Sequence, residues 1–392
     1  MTYTRSFVLS LLAVALLLAV TVTDDAGAIP AFARKYQISC STCHAPFPRL
    51  KPFGEEFAAR GFRMEDPTKE PSRATFDVGD PLLKLVRDVP LAVRMDAWAS
   101  YEDNGGPQTD FEWPWSLKLL SGGPITEKIS YYFYAIFEQG ESVKLEDTFF
   151  QFNDLFGLPV DMVVGQFQLS DSLFKRELRL ERNDYTIFKT RVGVLPSNLT
   201  YDRGMVLTWH APAAIEVVGQ IVNGNGIEAA ENGNFDDNDF KNTALRLARQ
   251  FGPVRVGAFG YWGKEELVDG PSTSFSYLGP DLAIEISEKW QLNAIYLERS
   301  DEDPFLVGRT GPDLKTEGGF AELIFLPGGP DGRWAIAGLY NKVDSDVLES
   351  QAENVSLTLS YLLARNMRAN GEIYHDLDLD DDRVSFGLIA AF

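Results

Sequence analysis

The feature that most constrains this chain is a two-residue hydrophobic period that returns, segment after segment, from about Val89 to Phe392. "VSLTLSY" sets Val355, Leu357, Leu359 and Tyr361 on one face and Ser356, Thr358 and Ser360 on the other. "KWQLNAIYLE" alternates Trp290, Leu292, Ala294 and Tyr296 with Gln291, Asn293 and Ile295, and "RVSFGLIAAF" places Val384, Phe386, Leu388, Ala390 and Phe392 together. Successive side chains of a strand point to opposite faces, so this pattern marks strands with one apolar face. No stretch here carries the period of a long amphipathic helix. Sixteen segments follow the rule, at about 89–101, 109–121, 126–139, 143–154, 159–169, 200–210, 213–222, 240–250, 254–263, 272–285, 289–299, 316–326, 333–343, 354–364, 367–376 and 383–392. An even number of strands, each about ten residues long, predicts a mainly β chain closed into a transmembrane barrel of about 16 strands. The alternative is a soluble sandwich or propeller.

The connections test this independently, because outer-membrane barrels have short turns at one end and long loops at the other. Taken in order, "GGPI", "FGL", "AP", "FGP", "SE", "PGGPDG" and "RN" are short. Between them lie "EDNGGPQT", the 170–199 stretch, "GNGIEAAENGNFDDND", "KEELVDGPS", "SDEDPFLVGRTGPDL", "DSDVLESQAE" and "DLDLDDD". Only "GES" breaks the alternation. The long set also holds most of the carboxylates, among them Asp236, Asp237, Asp239, Asp301, Glu302, Asp303, Asp344, Asp346, Glu349, Asp378, Asp380, Asp381 and Asp382. They predict an acidic rim that concentrates cations, or simply solvated loops. A formal net charge of −21 argues against nucleic acid as a partner.

At the N-terminus Arg5 precedes "SFVLSLLAVALLLAVTV" and small residues at Ala26 and Ala28. This reads as a signal peptide over 1–28, cleaved after Ala28; a retained anchor is the alternative. The chain's only two cysteines follow closely, in "YQISCSTCH". Cys40 and Cys43 lie about one helical turn apart, with His44 next, which is the attachment signature of a c-type haem. The two thiols form thioethers to one haem, and His44 is held beneath the iron as proximal ligand. A short disulfide loop competes with this reading. A zinc site lacks a second cysteine pair.

Residues 29–75 form a segment of different texture. In "FPRLKPFGEEFAARGFRM", Phe47, Leu50, Phe53, Phe57 and Phe62 recur at three to five residues, which fits short helices. So short a segment rarely buries a core unaided. The missing haem wall is expected from the barrel of residues 76–392, with the segment folded against or inside its mouth. Met64 is one candidate for the distal iron ligand and His210, in the lumen near the short-turn end, is the rival. His375, beside Asp376 at the long-loop rim, is a candidate for metal entry.

"PAFARKYQISCSTCHAPFPRLKPFGEEFAARGF" resembles the N-terminal segment of the fused monohaem cytochrome–porins of the outer membrane. The shared features are Pro30 to Arg34, the Cys40, Cys43 and His44 motif, Pro52-Phe53-Gly54, and Gly61 followed by Phe62. "GQFQLSDSLFKRELRLERNDY", "VNGNG" and the "DNDFKNTALRLAR" run look, more weakly, like phosphate-selective porins. The resemblance implies one covalent haem c in the bacterial outer membrane and electron transfer across that membrane. An extracellular reductant such as Fe(II) would be the donor and a periplasmic c-type cytochrome the acceptor, an iron:cytochrome c oxidoreductase in enzyme terms. Two other functions stay open: a diffusion porin whose haem segment is a plug or sensor, and a haem enzyme such as a peroxidase.

Overall fold

The computed structural model describes residues 31–66, 75–76, 78–87, 89–103, 107–138, 142–227, 233–236, 238–266 and 270–392. The expected signal peptide lies outside the described residues. A two-stranded hairpin, β1 (Thr75–Phe76) with β2 (Leu85–Val86), precedes the wall. The wall comprises β3 (Leu91–Asp103), β4 (Pro107–Pro124), β5 (Ile129–Glu138), β6 (Lys144–Phe152), β7 (Val160–Gln168), β8 (Tyr201–Ala211), β9 (Ile215–Val222) and β10 (Asn242–Phe251). It continues with β11 (Val254–Glu266), β12 (Ser272–Ser287), β13 (Trp290–Asp301), β14 (Leu314–Phe325), β15 (Trp334–Ser345), β16 (Ala352–Ala364), β17 (Met367–Asp376) and β18 (Asp381–Ala391). Each strand pairs antiparallel with its neighbours, and β18 returns to β3 with Leu388 opposite Ala97, closing a 16-stranded barrel. All sixteen expected strands are present, with ends shifted by a few residues.

The barrel is apolar outside; inside, the wall is polar on some strands and carries apolar side chains such as Phe259, Leu297 and Phe320 on others. On β16 the side chains of Val355, Leu357 and Leu359 are exposed, whereas Ser356, Thr358 and Ser360 are buried in the lumen. Leu245 and Leu247 of β10 likewise face outward, while Asn242 and Arg246 face in. Soluble monomers rarely expose so continuous an apolar band; lipid is its natural solvent. Trp209, Phe251, Trp290 and Trp334 stand outward near the short-turn end, and Phe111, Trp113 and Trp262 near the long-loop end. They form the aromatic girdles expected at the two interfaces of a bilayer. Among the described residues no helix is long and apolar enough to cross a membrane.

Inside, several buried charges are paired. Arg246 lies 2.7 Å from Asp281, and Arg299 lies 2.7 Å from Asp301 and donates to the Tyr277 hydroxyl at 2.8 Å. Two expected rim carboxylates therefore sit elsewhere. Asp301 is the last residue of β13 and turns into the lumen, and Asp303 is buried, accepting the N–H groups of Gly308 and Arg309.

The larger difference concerns residues 169–200. This stretch does not project as an outer loop; it folds down into the lumen. Leu180, Phe188, Val192 and Leu199 are fully buried. Side chains of this length stabilise by about 2 kcal/mol each when removed from water, enough to explain the inward turn. Tyr185 stacks on Phe320 of β14, centroids 3.9 Å apart, and donates to Glu322 at 2.8 Å. Arg182 reaches Glu112 of β4 and Ser385 of β18, and Ser197 meets Glu265 of β11. The plug thus touches the wall on opposite sides.

Candidate cofactor site at the short-turn mouth

Three short helices build the N-terminal segment: Ala31–Tyr36, Cys40–Cys43 and Pro52–Ala59. Ser39 caps the second, its hydroxyl accepting the Ser41 N–H at 3.3 Å. Pro52 opens the third, where its missing N–H costs nothing. Phe32, Tyr36, Phe57 and Phe62 pack edge-on and stacked at 4.9–6.1 Å, and Tyr36 donates to the Phe62 carbonyl at 2.6 Å. Phe62 then stacks on Tyr132 of β5 at 5.6 Å, carrying the small cluster onto the wall.

The segment is held in the mouth that bears the short turns. Lys51 pairs with Asp331 at 2.8 Å, Arg63 donates to the Glu127 carbonyl, and Asn153 donates to the Ala59 carbonyl at 2.7 Å. Arg49 goes deeper. It donates to Gln291 and lies 3.6 Å from Glu322, the carboxylate that also receives Tyr185 of the plug. The expected seat of the segment, folded against or inside the barrel mouth, agrees with this placement.

Within the segment, Cys40 and Cys43 occupy one helical turn, half-buried and not joined to each other. Burial pushes both thiols above their ordinary range. The His44 N–H closes the turn on the Cys40 carbonyl at 2.9 Å. Its ring Nδ1 lies 2.9 Å from the Pro48 carbonyl and 3.2 Å from that of Arg49. Two carbonyl partners make Nδ1 the protonated nitrogen and leave Nε2 as a lone-pair donor, the arrangement a metal-bound histidine needs. Burial holds the imidazole below its ordinary pKa, which keeps that lone pair open. Two unjoined thiols and one oriented imidazole on a single turn fit a covalent haem. Among the described residues no group of three or more His, Cys, Asp or Glu is placed to clasp a bare metal ion.

The remaining candidates lie apart from this turn in the sequence. Met64 packs against the Tyr36, Phe57 and Phe62 cluster. His210 ends β8 at the same mouth, its Nε2 3.2 Å from Asp161. His375 faces away from the lumen at the long-loop rim, 3.0 Å from Asp382. Sequence reasoning missed the plug and the Arg49–Glu322 contact. The plug had one available signal: 169–200 is too rich in large apolar residues for an open loop.

No protein-family model matches the sequence, and no curated protein matches it. Solved structures do resemble it. An anion-selective porin from Comamonas acidovorans superposes with a TM-score of 0.57 at 12% identity, over 78% of this chain and 99% of that one. Salmonella typhi OmpF, in complex with daunomycin, gives 0.54 at 12%, over 78% and 97%. Pseudomonas putida OprB gives 0.54 at 8%, over 78% and 94%. At these identities the likeness is one of fold: the barrel is of outer-membrane porin type.

Proposed function

We propose that the chain is an outer-membrane barrel that carries one covalent haem c in its periplasmic mouth and passes electrons between a reductant outside the cell and a periplasmic c-type cytochrome. The observation that carries this reading is the seating of the Cys40–His44 turn in the short-turn mouth with the His44 Nε2 left as a donor. Haem c, when bound, supplies a one-electron Fe(III)/Fe(II) couple. The chain's own residues do the rest. Cys40 and Cys43 tether, and Pro48 and Arg49 fix the ring of His44. The aromatic cluster around Phe57 walls one side, while Arg49 links the segment to Glu322 and so to the plug. Met64 and His210 are the two proposed distal ligands. Acidic residues at the long-loop rim, Asp344, Asp346 and Asp378 among them, favour a cationic donor such as Fe(II).

The porin fold itself favours a second reading, a diffusion channel in which the haem segment is a plug or sensor. The two readings separate on the lumen. Residues 169–200 cross it from β4 to β14, which supports the conduit.

Stopped-flow mixing of the oxidised, detergent-solubilised protein with Fe(II) tests the proposal. Full reduction of a low-spin haem c is expected. Absence of any haem spectrum from protein matured with haem-attachment machinery, together with rapid liposome swelling, would replace it with the channel. Reduction by organic donors but not by iron removes only the iron assignment.

A further inference from the structure

A shallow, open slot of about 470 Å³ lies on the outside of the wall, near the long-loop ends of β10 to β13. Its lining residues share one row across four strands: Thr243 pairs with Trp262, Trp262 with Ser276, and Ser276 with Ser300. Their strand positions place Thr243, Trp262, Ser276 and Ser300 on the lipid side. Just nearer the bilayer centre the wall is bare hydrocarbon, with Leu245 and Leu278 exposed. The slot therefore straddles the boundary between acyl chains and headgroups.

Its chemistry is specific. Lys264 places its ammonium 3.8 Å from the centroid of the Phe240 ring and pairs with no carboxylate among the described residues. Lys241, by contrast, is already paired with Asp236. Asp313 accepts the Ser300 hydroxyl at 2.9 Å and Glu302 accepts the Ser274 N–H at 3.1 Å, each with one oxygen, which leaves acceptors facing the slot. Trp262 offers a large exposed ring. Polar groups on a lipid-facing wall need partners, because the hydrocarbon supplies none.

We propose that this slot binds the headgroup of a phosphorylated glycolipid of the outer leaflet. Lys264 takes the phosphate as a charge-assisted contact. Glu302 and Asp313 accept sugar hydroxyls, and Trp262 covers a sugar face. The acyl chains run down over Leu278 and Leu245. A plain anionic phospholipid fits less well, since it brings no hydroxyl-rich ring to the two carboxylates. The proposal shares with the reading above only the orientation that puts the long loops outside.

Native mass spectrometry of the full, detergent-purified chain tests it. Four probes are added in turn: lipopolysaccharide of rough type, its dephosphorylated form, phosphatidylglycerol, and inorganic phosphate as competitor. One retained glycolipid is expected on the wild type. Lys264→Glu should lower its occupancy about tenfold, as loss of one charge-assisted contact implies. Lys342→Glu, exposed near the same rim on β15 and away from the slot, should leave it unchanged. Equal occupancy in the wild type and Lys264→Glu overturns the site. So does equal retention of phosphatidylglycerol, or complete displacement by inorganic phosphate. Folding of each variant is read from its heat-dependent gel mobility. Haem content is read separately by absorbance, so failure here does not touch the electron-transfer reading.

Discussion

Gly54 shows how much a single missing carbon can decide. A Cβ built there would lie 2.5 Å from the Cys43 carbonyl oxygen and 3.0 Å from a Leu50 methyl. The helix Pro52–Ala59 can rest on the cysteine turn only because residue 54 has no side chain. Gly61 has a related constraint: its φ is +68°, and a Cβ would meet Ser130 of the wall at 2.5 Å. Both glycines belong to the stretch that resembles cytochrome–porins, and the structure gives each a steric reason. Gly54→Val is expected to push the helix away at a cost of about 1–3 kcal/mol, the usual penalty for overpacking. Covalent haem per mole of protein, measured by the pyridine haemochrome, should fall while the barrel stays folded; unchanged haem content would show the helix is not needed. The helical turn at Cys40–Cys43 was legible because it is set by neighbouring residues. The partnership of Arg49 with Glu322 was not, because closure of the barrel brings the two together from distant parts of the chain.

At the scale of elements the strands were legible and the plug was not, for one physical reason. A strand in a barrel wall separates lipid from lumen at every residue, so burial writes itself into a period of two. The plug packs in all directions and uses short turns such as Thr186–Lys189, which leave no period to find. Its weakest point is Glu181. The side chain is buried in the lumen with neither oxygen hydrogen-bonded among the described residues. Burial first, then the nearby Glu322, holds this carboxyl well above its ordinary range, with Arg49 pulling the other way and Glu372 adding to the rise. The folded chain thus keeps a proton that the unfolded chain releases above about pH 4.3. Stability from this group is complete below that point and is lost as pH rises toward the folded value. Glu181→Gln removes the titration and keeps the shape. It should raise stability at neutral pH by about 1.4 kcal/mol for each unit by which the folded carboxyl lies above the unfolded one, the proton-linkage cost that the amide does not carry. The gain should shrink toward pH 4 in denaturant or thermal unfolding followed by gel mobility. A gain that does not vary with pH would mean the carboxyl is not the cause.

For the whole molecule the governing fact is that the cysteine turn and the acidic loops lie at opposite mouths. β11 runs from Val254 at the short-turn end to Glu266 at the other, 13 residues. At about 3.3 Å per residue, and allowing for barrel tilt, that is on the order of 30 Å, a full hydrocarbon thickness. A haem held as proposed on Cys40 and Cys43 would lie at the short-turn mouth, far from the long-loop rim where an outside donor would first meet the protein. The plug crosses the lumen between them, so a reductant that cannot pass it must act at a distance. Under the proposed function, electron exchange is expected to be sided. In vesicles carrying the barrel in one orientation, membrane-impermeant bulky donors should reduce the haem at least about tenfold faster from the short-turn side, since encounter there needs no passage of the lumen. Small aquated Fe(II) should narrow the difference, because carboxylate-lined loops raise its local concentration at the long-loop mouth. Stopped-flow absorbance on the two vesicle orientations reads both effects. Equal rates for bulky donors from the two sides would place the haem near the centre of the lumen, against the position of the Cys40–His44 turn.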